Sequence, residues 1–149
     1  MLPILKDISH QIAWDLDRLM AELASYPDES VIWTKHKAVN NSAGHLSLHL
    51  IGNLKHFIGH MIGGTDYKRD RALEFSSDPI PVSEIAEQIR ETKTAVENSL
   101  SKLSAEKLAT RFPIDVFGFE MTYQYFTIRL STHLSYHLGQ ISYHRRLLA

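Results

Sequence analysis

His133 and His137 stand four residues apart in the segment His133-Leu134-Ser135-Tyr136-His137-Leu138-Gly139-Gln140, whose apolar residues recur with helical spacing. On a helix, side chains four apart lie about 40° apart around the axis and ~6 Å along it, so two imidazoles placed this way can converge on one point. That is metal-ligand spacing, and a metal site needs at least one further ligand from elsewhere in the chain. The chain has no cysteine, which excludes disulfides, cysteine zinc fingers, iron–sulfur clusters and a protein thiol nucleophile. A metal here would take histidine or oxygen ligands. Histidine is abundant, with nine in 149 residues, and seven of them fall in two clusters.

The first cluster lies in a helical pattern from Ala43 to Ile62, preceded by the N-cap candidates Asn40, Asn41 and Ser42 and ended by Gly63-Gly64. Taking about 100° per residue from His45, the positions of His49, Asn53, His56 and His60 fall at about 40°, 80°, 20° and 60°. Four histidines and an asparagine thus share one stripe, where a solvated face would more usually carry lysine and glutamate. Such a stripe is either a site or a polar seam inside a bundle. In the second cluster, His137, Gln140 and His144 lie at about 40°, -20° and 20° from His133. His144 is two turns beyond His137, too far to share its metal. A single histidine is more often a hydrogen-bonded core or surface residue than a ligand, but seven on two stripes are harder to dismiss. The spacing leaves open which of His45, His49 and His56 would join the pair.

The elements that must position these residues are helical. Ile8, Ile12, Leu16, Leu19, Met20 and Leu23 mark an amphipathic helix from Ile8 to about Ser25, ended by Tyr26-Pro27. Val31 to Asn41 has no sustained period and reads as a loop. After the second helix, the polar stretch Thr65 to Val82 has the length of a crossover. A third helix runs from Ser83 to about Lys102 with Ile85, Ile89, Val96 and Leu100 inward, and nothing on it suggests chemistry. Leu103 to Glu120, with aromatic and β-branched residues around Gly118, reads as a short irregular segment, a hairpin or an ordered lid. The fourth helix spans about Thr122 to Leu148. These patterns predict an all-α four-helix bundle and a single domain over residues 1–149, with a long connection between the second and third helices. Gly52 and Gly139 each cost about 1 kcal/mol relative to alanine inside a helix, and close approach of the second and fourth helices would account for both.

Composition bounds the partners. With 16 Lys+Arg against 17 Asp+Glu, the formal charge of -1 offers no excess to recruit nucleic acid or an anionic membrane. The first residues lack a basic and apolar leader, and no apolar run approaches ~18 residues, so a cytoplasmic protein is expected.

The segment from Asn41-Ser42 through His49-Leu50-Ile51-Gly52-Asn53-Leu54, together with His133, His137, Gly139, Gln140 and Ile141, resembles the DinB-like superfamily of bacterial metal-binding bundles, in the branch with an NS…HLxGNL signature. The similarity covers nearly the whole chain. It implies a four-helix bundle with an up-down-down-up course, commonly a homodimer, and a metal held by His49, His133 and His137. In the family the metal has been assigned as nickel or zinc, and imidazole also suits iron and manganese. Some relatives are thiol-dependent S-transferases or isomerases, so the resemblance implies a metal-dependent transferase or hydrolase. A non-catalytic, stress-related metal- or small-ligand-binding bundle is the alternative. Lacking cysteine, the chain would draw its nucleophile from a thiol cosubstrate or a water. Asn53 and Gln140 are candidates to orient a ligand imidazole or a bound water. Lys35, Lys55 and Arg129 are candidate anion contacts, each of which reads more simply as a solvated charge.

Overall fold

The computed structural model describes residues 1–148. Four long helical elements carry the architecture. Helix α1 spans Pro3–Ala24, α3 Ala43–Leu54, α5 Val82–Leu100 and α7 Tyr123–Leu148, with one-turn helices α2 (Glu29–Ile32), α4 (Arg71–Glu74) and α6 (Ala105–Leu108) in the connections. Helix α1 begins earlier than its apolar period suggests, because Pro3 occupies the first turn, where its missing N–H costs nothing. Ser42 caps α3, its hydroxyl accepting from the His45 N–H at 3.1 Å.

Helix α3 does not run on as an α-helix to Ile62. From Lys55 to Ile62 the chain continues in π-helical geometry, with Gly63 N–H bonded to the Ile58 carbonyl five residues back. The segment before α7 contains no strand among the described residues. Arg111 and Thr122 form a lone antiparallel bridge, and Phe112 N–H donates to Met121 O at 2.8 Å. Of the readings open for this segment, the structure has the short irregular one, a loop pinched by a single bridge.

Contacts between side chains give the helix directions. Helices α1 and α7 run parallel, Asp15 meeting Ser135 and Glu22 meeting Arg145. Helix α3 is antiparallel to α7, with His49 against His133 and Phe57 against Phe126. Helix α5 runs alongside the π segment in the same sense, since Lys55 meets Glu91 and Lys102 meets Gly63.

One core unites them. Leu5, Ile12, Leu16 and Leu19 of α1, Leu50 and Leu54 of α3, Ile85 and Ile89 of α5, and Phe126, Leu134 and Ile141 of α7 are fully buried. Each such side chain contributes about 1.5–3 kcal/mol relative to exposure, so the core fixes α3 against α7 independently of what their polar faces do. Among the described residues, no helix is long and apolar enough to cross a membrane.

Candidate metal centre

The core contacts that align α3 with α7 bring His49 opposite His133 and His137. His133 Nε2 lies 3.3 Å from His49 Nε2 and 3.1 Å from His137 Nε2. The three imidazoles form the one group of histidine or acidic side chains among the described residues close enough to hold a metal ion. The rings stand nearly perpendicular to one another, at 78° for His49 and His133 and 89° for His133 and His137, so their edges rather than their faces meet.

The tautomers follow from what lies behind two of the rings. His49 donates its Nδ1–H to Glu74 Oε1 at 3.0 Å, and His137 donates its Nδ1–H to Gln140 Oε1 at 2.6 Å. With the proton on Nδ1, the lone pair of each ring is on Nε2, the atom that faces the other histidines. Three nitrogens bound to zinc at about 2.0–2.1 Å with tetrahedral angles stand ~3.3 Å apart. The observed separations therefore fit one small divalent cation.

Electrostatics agree with neutral imidazoles. Burial pushes the pKa of His133 down to about 4, helped by the neighbouring His137 and His49 and by Arg69 and Arg129. Burial also lowers His137, and its bond to Gln140 offsets only part of the shift. Metal binding needs imidazoles free of the second proton, and burial favours that form of both.

Behind His49 is a group that the sequence period did not reveal. Glu74, from the one-turn helix α4, is buried and receives Arg69 in a two-pronged bond, Nε to Oε2 at 2.8 Å and one terminal nitrogen to Oε1 at 2.8 Å. Burial alone would raise the Glu74 carboxyl, but the bonds from Arg69 and His49 outweigh it and hold the group below its ordinary range. Helix α4 begins at Asp70, whose carboxylate accepts from the Leu73 N–H at 3.1 Å. That cap is the only local signal for α4, since four residues are too few to show a period.

Gly52 serves this contact rather than an approach of α3 to α7. A Cβ built there would fall 1.9 Å from Glu74 Oε2, so the missing side chain is the space the carboxylate fills. Gly139 has nothing within 4 Å of its Cβ direction, so close helix packing does not explain it.

The remaining histidines are used otherwise. His45 bonds Ser42 Oγ and the Ser77 carbonyl, both at 3.0 Å. His144 is buried between Tyr26 Oη at 2.7 Å and the Thr34 carbonyl at 2.6 Å. His56 and His60 lie in the π segment and stack on each other with ring centres 6.0 Å apart. Of the two orienting candidates, Gln140 contacts a site histidine and Asn53 does not; the Asn53 Oδ1 is buried without a partner. Lys55 is paired with Glu91 across to α5.

No curated protein matches the chain. A comparison with protein families matches the DinB superfamily over residues 11–141, a span that runs from α1 to α7 and includes all three site histidines. The protein belongs to the DinB superfamily.

Proposed function

We propose that the protein binds one divalent metal ion through His49, His133 and His137 and uses it in a metal-dependent group transfer with a low-molecular-weight thiol as cosubstrate. The observation that carries this reading is the meeting of three Nε2 atoms at 3.1 and 3.3 Å, with Nδ1 of His49 and His137 each tied to an acceptor. The family resemblance implies nickel or zinc; iron and manganese also accept imidazole. When bound, such a cation supplies a Lewis acid whose open positions lower the pKa of a thiol or water placed there.

The chain's own residues do the rest. Glu74 and Gln140 fix the direction of two imidazoles, and the Glu74–Arg69 pair cancels its own charge, so the loaded site keeps the full charge of the cation. A net positive site favours an anionic ligand in the open position. With no cysteine in the chain, a thiolate would come from the cosubstrate. A cytoplasmic setting, where small thiols stay reduced, and the homodimer implied by the family resemblance belong to the same proposal.

The test is metal analysis of purified protein after separate reconstitution with Zn²⁺, Ni²⁺ and Mn²⁺, beside His133→Ala. One equivalent in wild type and loss of binding in the variant is the expected result. Sub-stoichiometric metal in wild type overturns the proposal. A thiol-dependent transferase screen on the loaded protein then separates an enzyme from a metal-binding bundle without turnover, for which bound metal and no activity is the signature.

A further inference from the structure

Beside His133, on the solvent side of α7, a cavity of about 310 Å³ is lined by Phe117, Arg129, Thr132, His133 and Tyr136. Arg129 is its one cation. The guanidinium carbon lies 4.7 Å from the centre of the Phe117 ring, which holds the side chain in place from one face. Among the described residues, no carboxylate pairs with Arg129 and no side-chain or backbone acceptor takes a hydrogen bond from it, and its Nε is buried without a partner. Five other arginines pair with a carboxylate: Arg18 with Asp15, Arg69 with Glu74, Arg90 with Glu87, Arg111 with Asp115 and Arg145 with Glu22. Arg71 and Arg146 lie over Phe75 and Tyr143 and are exposed, whereas Arg129 is half-buried. A half-buried guanidinium without an anion is costly, so this one calls for an explanation.

Its surroundings extend the pattern. Arg129 and His133 are four apart on α7 and share a face, ~6 Å apart along the axis. The antiparallel register set by His49 against His133 and Phe57 against Phe126 places Asn53 of α3 level with Arg129. The buried Oδ1 of Asn53 and Nδ1 of His133 also lack partners. Of these residues Arg129 and His133 line the cavity, and each has a buried nitrogen without a partner.

From this arrangement we infer that the cavity is a subsite for the carboxylate of a small substrate or cosubstrate whose reacting atom is placed at the three histidines, with Arg129 as its anion contact. The inference rests on the metal reading for the second half of that statement only. A carboxylate fits better than a phosphate ester, since one guanidinium balances one negative charge and its planar fork matches two carboxylate oxygens. Phe117 supplies an apolar wall for the short chain that joins the two ends, and Tyr136, which accepts from Gln140 Nε2 at 3.2 Å, closes the side toward His137.

The test uses a cobalt-substituted protein, in which thiolate coordination gives a charge-transfer absorption band. Wild type, Arg129→Gln and Arg129→Lys are titrated with 3-mercaptopropionate and with its neutral amide, and cobalt content is measured for each. The expected result is about tenfold tighter binding of the acid than of the amide by wild type, no preference in Arg129→Gln and partial recovery in Arg129→Lys. Equal affinity of wild type for both compounds, or a preference that survives Arg129→Gln, overturns the subsite. Failure of wild type to take up cobalt overturns the metal reading instead. In that case the same two compounds are titrated into metal-free, ¹⁵N-labelled protein. Shifts at Phe117 and Thr132 that require both the acid and Arg129 uphold the subsite, and their absence overturns it.

Discussion

Glu74 does for His49 what Gln140 does for His137: it accepts the Nδ1 proton and so turns Nε2 toward the centre. Glu74 has the larger part, because it is buried, ionised and itself anchored by Arg69. Removing such a partner usually costs about 10–100-fold in metal affinity. Glu74→Gln is therefore expected to weaken zinc binding within that range, read by competition with a chromophoric chelator, while Gln140→Ala has the smaller effect because Gln140 is exposed. His133 sets a pH dependence of the metal-free protein. Its folded pKa is about 4 against an ordinary 6.5, so between those values the unfolded chain binds more protons than the folded one. Stability is then full above about pH 6.5 and falls as pH drops toward about 4. The shift of His137 acts in the same direction. Urea midpoints of the apoprotein should be lower at pH 5 than at pH 7, and His133→Gln should flatten the difference. A midpoint unchanged across that window would count against the buried neutral imidazole.

At the level of elements, the wheel drawn from the sequence holds through α3 and fails beyond it. Within Ala43–Leu54 the advance of about 100° per residue is regular and keeps His45 and His49 on one stripe; the resemblance, not the spacing, singles out His49, and it is His49 that meets α7. From Lys55 the turns close on the fifth residue, each residue advances by less, and His56 and His60 leave the stripe. No residue type announces a π turn, so the sequence carries the four-histidine stripe but not its break. The helix pair His133 and His137 was legible because α7 is regular throughout. Glu74 was not, because its helix is one turn long and its position depends on how the whole crossover folds back on α3. The glycines test this division. Gly52→Ala drives a methyl into the Glu74 carboxylate, so it should cost zinc affinity along with stability, whereas Gly139→Ala meets nothing and should stabilise α7 by up to about 1 kcal/mol. Zinc competition and urea unfolding on the two variants check both signs. Equal zinc affinity in the two would show that Glu74 does not depend on the space at Gly52.

For the molecule as a whole, the site joins the two ends of a long loop in sequence. His49 and His133 are 84 residues apart, and α3 and α7 are already aligned by buried leucines and phenylalanines, so the fold does not need the metal to form. A cation bound only when α3 and α7 are in place stabilises by mass action, by ~4 kcal/mol when free metal is 1,000 times the dissociation constant. For a chain of this size each kcal/mol raises the melting temperature by roughly 2–4 °C, which predicts a rise of about 8–16 °C from chelator-treated to zinc-loaded protein. Differential scanning calorimetry reads it directly. His133→Ala should melt at the same temperature with and without zinc, because two remaining imidazoles give a far weaker site. Exposed histidines such as His10 and His60 provide the control: zinc binding there would shift wild type and variant alike. A rise confined to protein with all three histidines intact therefore separates a site built between α3 and α7 from zinc adhering to a histidine-rich surface.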